Sequence, residues 1–301
     1  MKESKRMVIL DSNSILHRSF HALPPLTTKK GEPVSAVYGF LLVLFKAIKE
    51  NQPDFIAACF DFPALTFRHK EFKEYKATRP PTPKDLISQI PKVKEVLKVL
   101  NIPIFEKEGF EADDLIATIA RKAENEVSEI FVLTGDFDAL QIVNKKIKIF
   151  FLGKKMKEPL IYTEEKVVTE FGILPKQIPD FKALVGDQSD NIPGVLGIGP
   201  KTAVEILKYY GNLETLYSKV EKEKKLKEKI RKELIMSKEK VFLSKNLAKL
   251  RDEVEIDFDL KKCSFDKLDF QAFKKALENF EFYSLLKRIP EITSKKTKKL
   301  F

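Results

Sequence analysis

MVIL at 7–10, SAVYGFLLVLFKAIKE at 35–50 and FIAACF at 55–60 decide the fold of this chain. The outer two are compact apolar runs of strand length, and the stretch between them is long enough for a helix. A strand, helix, strand order requires a crossover, and a crossover joins parallel strands. Further along, DLISQIPKVKEVLKVL (85–100) predicts a second helix. Leu86, Ile90, Val93, Leu97 and Leu100 recur at spacings of four and three, so they share one stripe, which Pro91 should bend or delay. IPIFE (102–106) reads as a strand, EADDLIATIARKA (111–123) as a helix and EIFVLTGD (129–136) as another strand. The fold class is α/β with a mostly parallel sheet.

Acidic residues recur where these apolar runs stop. Asp11 follows MVIL, Asp61 follows FIAACF, Glu111, Asp113 and Asp114 open the EADD helix, Asp136 and Asp138 follow FVLTG, and Asp187 and Asp190 lie in LVGDQSDNIPG. A carboxylate at the end of a buried strand costs free energy unless a cation neutralises it, and a gathering of this size calls for metal. Ligands bind open α/β sheets beyond the carboxyl ends of the strands, so Asp11, Asp61 and Asp136 should share one crevice. Glu111 and Asp114, three apart, can lie on one helical face. An acidic first turn also suits the helix dipole, so EADD reads equally as a cap. Capping does not account for Asp11, Asp61, Asp136 and Asp138 as well.

The chain of 301 residues is 43% hydrophobic, enough for one large core or a core plus a smaller module, which excludes wholesale disorder. Its net charge is +11 despite the carboxylates, so the remaining surface is more basic still. That suits a polyanionic partner, with a lysine-rich thermophile-type surface as the plainer alternative. Cys59 and Cys263 are the only cysteines, too few for a disulfide framework or a thiolate metal site. His17, His21 and His69 lack zinc-like spacing and read as structural, whereas oxygen donors suit Mg²⁺ or Mn²⁺. The apolar stretch near the N-terminus is too short for a signal peptide, and no run reaches the roughly 18 residues of a membrane span. A soluble cytoplasmic protein, nucleoid-associated if it holds DNA, is expected.

Two further segments point to nucleic acid. FPALTFRHKEFKEYKATRPPTPK (62–84) interleaves Arg68, Lys70, Lys73, Lys76 and Arg79 with Phe67, Phe72 and Tyr75. Lys70, Lys73, Lys76 and Arg79 step by three, which would put them along one helical face. Charge for a backbone and rings for bases are what a single-strand channel needs, and a solvated amphipathic helix is the alternative. From about Phe171 short helices surround a glycine-punctuated turn. In GIGPKTA, Gly197 and Gly199 make the turn and Lys201, Thr202 and Ala203 open a helix whose free N–H groups can hold a phosphate. Beyond it, KVEKEKKLKEKIRKELIMSKEK (219–240) mixes signs densely and reads as a solvated helix or helix pair.

LDSNSILHRSFHALPPLTTKKGEPVSAVYGF, FDFPALTFRHKEFKEYKATRPPTP, EADD, TGDFDALQ and GDQSDNIPGVLGIGPKTA resemble the 5′ nuclease found at the N-terminus of bacterial DNA polymerase I, a relative of the flap endonucleases. The resemblance runs from about Val8 to Leu286. It implies a PIN-like catalytic domain over about residues 1–170 with a helical arch at about 62–95. It also implies a helical DNA-binding domain over about 171–290 carrying a helix-three-turn-helix, and a basic tail at 291–301. Asp11, Asp61, Glu111 and Asp113 would surround one metal and Asp113, Asp136, Asp138 and Asp190 a second, with Asp114 and Asp187 as outer ligands. Tyr75, Lys76 and Arg79 would stand at the active-site mouth and Arg18 near the scissile phosphate. Arg68, Lys70, Lys73, Gly197, Gly199, Lys201 and Thr202 would contact DNA, with a monovalent cation at the Gly197–Gly199 turn as a further expectation.

The implied chemistry is phosphodiester hydrolysis at a 5′ end, nick or flap, on DNA or RNA–DNA primers, giving 5′-phosphates. Two divalent ions would activate and align water, so no Ser, Cys or His nucleophile is required, and Lys76 and Arg79 would offset transition-state charge. Every acidic position of the pattern is occupied. A PIN-type ribonuclease and a non-catalytic branched-DNA-binding protein are the alternatives; GIGPKTA and the basic stretch speak against the first, the complete carboxylate set against the second. A monomer is expected, partnered by a separate polymerase or joined to one. The terminal Lys299-Leu300-Phe301 resembles a sliding-clamp tail but lacks the usual glutamine, which favours a plain basic end.

Overall fold

A computed structural model describes residues 4–152, 160–266 and 269–293. Residues 294–301 of the expected basic tail, the Lys299-Leu300-Phe301 motif among them, lie outside these residues. Six strands, β1 (Arg6–Asp11), β2 (Phe55–Cys59), β3 (Ile104–Phe105), β4 (Glu129–Thr134), β5 (Ile147–Phe151) and β6 (Leu160–Tyr162), form one sheet in the order β3-β2-β1-β4-β5-β6. All neighbours are parallel except β5 and β6. The expected strands are therefore present, IPIFE contributing only two residues, while β5 and β6 extend the sheet beyond them. The central strand β1 is flanked by β2 on one side and β4 on the other, so chain direction across the sheet reverses beside it. Such a switch point opens a crevice at the carboxyl ends of the strands, and Asp11 is the last residue of β1.

Side chains alternate across this sheet, which makes both faces apolar. Met7, Ile9, Ala57 and Cys59 face a helix, α6 below, and the helical module, whereas Val8, Leu10, Ile56 and Ala58 face the opposite layer. That second layer begins with α1 (Ser12–Ala22) and α2 (Ser35–Asn51). Val37, Phe40, Leu41, Leu44, Phe45 and Ile48 of α2 are buried, each contributing about 1.5–3 kcal/mol for a large side chain removed from water.

The segment expected to carry one cationic helical face is built otherwise. α3 (Phe67–Glu71) is a single short helix, and residues 72–79 follow as turns, with Lys76 in the left-handed region at φ 55°. A helix cannot pass through that conformation, so Lys70, Lys73, Lys76 and Arg79 do not line up: Lys70 and Lys73 stay in solvent, Lys76 is half-buried, and the exposed Arg79 reaches Asp190. The helix expected at 85–100 is likewise two pieces, α4 (Lys84–Ile87) and α5 (Ile90–Val99). Pro91 falls in the first turn of α5, where its missing N–H is harmless.

α6 (Ala112–Ala123) opens with a reciprocal capping box between Glu111 and Asp114. The helical module comprises α7 (Glu164–Phe171), α8 (Ile178–Val185), α9 (Pro200–Tyr210), α10 (Leu213–Lys219), α11 (Glu228–Met236) and α12 (Lys238–Ala248). The mixed-charge stretch supplies one exposed helix, α11, and the first residues of α12, the rest of which lies beyond it. From Phe265 the chain returns to the layer of α1 and α2 through α13 (Phe270–Asn279), α14 (Tyr283–Leu286) and α15 (Ile289–Thr293). The Phe265 N–H donates to the Asp54 carbonyl at 2.8 Å, and Phe273 and Phe282 pack 5.9 and 5.2 Å from Phe45 and Tyr38, ring to ring. No helix among the described residues is long and apolar enough to cross a membrane.

Candidate active site

At the carboxyl ends of β1, β2 and β4 a cleft of about 340 Å³ is lined by Asp11, Asp61, Glu111, Asp113 and Asp136, together with His17, Arg18, Lys76 and Arg79. Each acid is fixed by the element that ends or begins beside it. Asp11 caps α1 by accepting from the Ser14 N–H at 3.0 Å and from the Thr134 hydroxyl at 2.5 Å. Asp61 accepts from the Ala112 N–H at 2.8 Å, and its own N–H donates to Asn13 at 3.1 Å. Asp136 accepts from the Asp138 N–H at 2.9 Å. Glu111 accepts from the Lys76 ammonium at 2.6 Å and the Tyr75 hydroxyl at 3.1 Å.

Asp113 lies at the centre of this group. Its Oδ1 is buried and has no hydrogen-bond partner, a state that protein surroundings alone do not favour. Burial first, then Asp11, Asp136, Asp138 and Asp61, push its carboxyl well above the usual range. Burial likewise raises Asp11 to about 7, with Thr134 and Ser14 opposing and Asp61 and Asp136 adding to the rise. Asp138 is raised to about 7 by burial against the pull of Lys182. A divalent cation supplies what these oxygens lack, and an all-oxygen set of carboxylates suits a hard ion.

These shifts have a sign that can be measured. A carboxyl protonated in the fold but ionised in the unfolded chain, where its ordinary value is 3.8, contributes stability that is complete below about pH 4 and lost as pH rises through about 7. In EDTA the melting temperature is therefore expected to fall between about pH 5 and pH 8, and Mg²⁺ should recover more of it at the higher pH, where fewer protons compete for the oxygens. Circular dichroism melts in the four conditions check this; identical curves would remove the ion from these residues.

A second group adjoins the first. Asp138, Asp187 and Asp190 each offer a carboxylate oxygen within 4.8 Å of the others. Close backbone packing forms the loop that carries two of them. Gly186 is at φ 85°, and a side chain on Gly194 would meet the Val185 carbonyl carbon at 2.4 Å, so Asp187 and Asp190 are presented by a turn no larger residue could close. Burial acts to raise Asp187, but Lys182 and Ser189 outweigh it and hold the carboxyl at about 2. Asp190 is also lowered, burial being outweighed by Lys76, Arg79 and Lys182. Asp187 thus stands beside Asp138 and Asp190.

Two of the expected roles are corrected. Arg68, expected on DNA, is 1% exposed. Its guanidinium grips Asp114 at 2.7 and 2.8 Å and donates to the carbonyls of Leu247 and Lys249 and weakly to Glu111. Asp114, expected as an outer metal ligand, is fully buried and has both oxygens engaged, by Arg68, by the Arg251 N–H at 2.8 Å and by the Glu111 N–H at 3.1 Å. The two form an internal tie between α3, α6 and the chain after α12.

The other expected residues fall as follows. Tyr75 is buried, its hydroxyl donating toward Glu111 and, at 3.0 Å, Asp190. Arg79 pairs with Asp190 and donates to the Ser189 carbonyl at 3.1 Å. Arg18 donates to the Gly135 carbonyl and lies 5.3 Å from the Phe151 ring centre; a side chain on Gly135 would overlap it. Lys70 and Lys73 are exposed and away from the carboxylates. Gly197, at φ 82°, and Gly199 border open space at the start of α9, where the N–H groups of Lys201 and Thr202 precede any helical acceptor. Sequence reasoning missed Lys182, whose ammonium joins Asp138 and Asp187. The i to i+5 relation of Lys182 and Asp187 was the only local signal.

Comparison with known proteins agrees with this geometry. The family profile for the 5′-3′ exonuclease N-terminal resolvase-like domain matches residues 6–172, and that for the 5′-3′ exonuclease C-terminal SAM fold matches residues 173–271. The 5′-3′ exonuclease of Aquifex aeolicus is 40% identical over 96% of either chain. DNA polymerase I of Caldicellulosiruptor bescii is 41% identical over 94% of this chain but only 33% of its own, so this chain spans about a third of that relative. Among solved structures, the bacteriophage T5 flap endonuclease in a pseudo-enzyme–product complex with DNA and metal ions shares the fold, with a TM-score of 0.69 at 20% identity over 92% of this chain and 100% of that one. Two contiguous family matches covering residues 6–271 and a full-length relative at 40% identity place this chain in the 5′-3′ exonuclease family.

Proposed function

We propose that this chain is a Mg²⁺-dependent, structure-specific 5′ nuclease, a 5′-3′ exonuclease and flap endonuclease that hydrolyses DNA or RNA–DNA primers to 5′-phosphorylated products in replication and repair. The observation that carries the reading is the unpartnered Asp113 oxygen, buried among Asp11, Asp61, Asp136 and Asp138 at the sheet's switch point. Asp11, Asp61, Glu111 and Asp113 would hold one ion and Asp113, Asp136, Asp138, Asp187 and Asp190 a second, with Mn²⁺ able to replace Mg²⁺. When bound, such a pair activates water and stabilises the leaving oxygen of an in-line displacement.

The remaining roles belong to the chain. Lys76, Arg79 and Arg18 bring three cations to the cleft, where they would hold the scissile phosphate and offset charge developing on it. Tyr75, hydrogen-bonded to Glu111 and Asp190, positions both carboxylates. Lys70 and Lys73 would meet the backbone of the single strand, and Gly197, Gly199, Lys201 and Thr202 a duplex phosphate, with a monovalent cation at the turn. The catalytic unit would run to about residue 170 and be completed by α13–α15, leaving the DNA-binding unit about 171–264 in place of the expected 171–290. A polymerase, fused or separate, is the natural partner of this activity, with a sliding clamp as a second, and the cytoplasmic nucleoid its site of action.

The test is cleavage of a 5′-end-labelled flap duplex and its matched single strand, each in Mg²⁺ and in EDTA. Metal-dependent cutting near the flap junction is expected. No cutting of either DNA, with cutting of the corresponding RNA, would reassign the chain to ribonuclease chemistry.

A further inference from the structure

We propose that Lys182 is a built-in counter-cation of the Asp138–Asp187–Asp190 group, so that a divalent ion enters there by displacing the ammonium. The inference rests on the two-ion reading above and adds how the second ion is admitted. The Lys182 ammonium donates to Asp138 and, at 2.5 Å, to Asp187. It is well sheltered, with 15% of its side chain exposed against 14% for Asp138 and 13% for Asp187. Lys182 sits in the last turn of α8, and its carbonyl accepts from the Gly186 N–H at 2.7 Å. The cation and the loop carrying Asp187 are therefore set by the same helix end. Burial acts to lower the ammonium, yet the two carboxylates outweigh it and keep it charged.

Occupancy is the point at issue. Three carboxylate oxygens within 4.8 Å of one another can share one small ion. An ammonium in direct contact with two of them fills the space in which Mg²⁺ or Mn²⁺ would need oxygens at about 2.0–2.2 Å. The ammonium and the ion cannot both lie between Asp138 and Asp187. Lys182 on Asp138 and Asp187, with Arg79 on Asp190, thereby offsets most of the charge of the ion-free group, since sheltered carboxylates left without a cation are strongly unfavourable. The same contact opposes binding at this position, as a single contact from Lys76 to Glu111 does in the first group, whereas Lys182 bridges two carboxylates of the second.

Mn²⁺ titrations of the full chain without DNA, with free ion read by electron paramagnetic resonance, test the exchange in wild type, Lys182→Met and Lys182→Arg. Wild type is expected to bind two ions, the weaker of which tightens about tenfold or more in Lys182→Met, because one unit charge in contact with the oxygens has been removed. Lys182→Arg should show no tightening. In EDTA, Lys182→Met should melt below wild type and gain more from Mn²⁺. Two ions in wild type with an unchanged or weakened second ion in Lys182→Met would overturn the exchange while leaving the metal reading intact. Equal tightening in Lys182→Arg, or a Mn²⁺-bound crystal structure in which Lys182 still bridges Asp138 and Asp187, would also overturn it. Wild type that binds no Mn²⁺ would overturn both readings. Should Lys182→Met fail to fold, Lys182→Gln removes the charge while keeping a donor and carries the same comparison.

Discussion

Replacing Asp113 by asparagine is expected to lower cleavage of a 5′ flap by about 10³-fold while raising the melting temperature in EDTA at pH 8. Both directions come from one position. Asp113 is half-buried among Asp11, Asp61, Asp136 and Asp138, and one of its oxygens is buried without a partner. In an ion-dependent reaction it serves both sides of the cleft, and losing several kcal/mol of charge stabilisation corresponds to about three powers of ten in rate. Without ions the same carboxylate is a liability, because its charge is opposed by burial and by four like charges; an amide of the same shape removes the charge and offers a donor to the surrounding oxygens. Single-turnover kinetics on a labelled flap and a melt of the ion-free protein measure the two effects. Wild-type rate in Mg²⁺ would end the assignment of Asp113 to the reaction, and a large loss of stability would mean its charge is already compensated.

Arg68→Met and Asp114→Asn should each cost about 3–5 kcal/mol of stability, the range for leaving one partner of a buried ion pair alone. For a chain of this size that is a fall in melting temperature on the order of 10 °C. The loss should be large because each residue has more than one partner. All three guanidinium nitrogens of Arg68 are engaged, and Asp114 accepts from two backbone N–H groups as well as from Arg68. The experiment also separates the corrected role from the expected one. An outer metal ligand changed to its amide would lose activity with little loss of stability. An internal tie would lose stability first and retain most of its rate at a temperature where the variant is still folded.

The parts of the molecule that were legible in sequence are those where one local pattern has one structural solution. Apolar runs ending in aspartate became β1, β2 and β4 with Asp11, Asp61 and Asp136 gathered at one end. EADD was readable as a site or as a cap, and it is both: Glu111 and Asp114 form the reciprocal cap while Asp113, between them, points into the cleft. Glu111 and Asp114 do stand together, but Asp114 serves Arg68 while Glu111 faces the cleft. The basic stretch resisted reading because a step of three implies a helix only while every residue stays right-handed, and Lys76 does not. Arg68 was unreadable for another reason: nothing in FRHKE distinguishes an arginine that meets solvent from one whose partners lie 46 and 179 residues away. Lys182 sits in a helix with no charge pattern of its own, and its partners come from the 3-10 turn after β4 and the loop after α8.

The return of Phe265 and α13–α15 to α2 gives the molecule an assembly order. The sheet layer is a discontinuous unit whose cover arrives last, since Phe273, Leu277, Phe282 and Leu285 shield the same face as Phe40 and Phe45. During synthesis from the N-terminus, α2 must wait with apolar surface exposed while the whole helical module is made, so closing that face couples completion of one half of the protein to completion of the other.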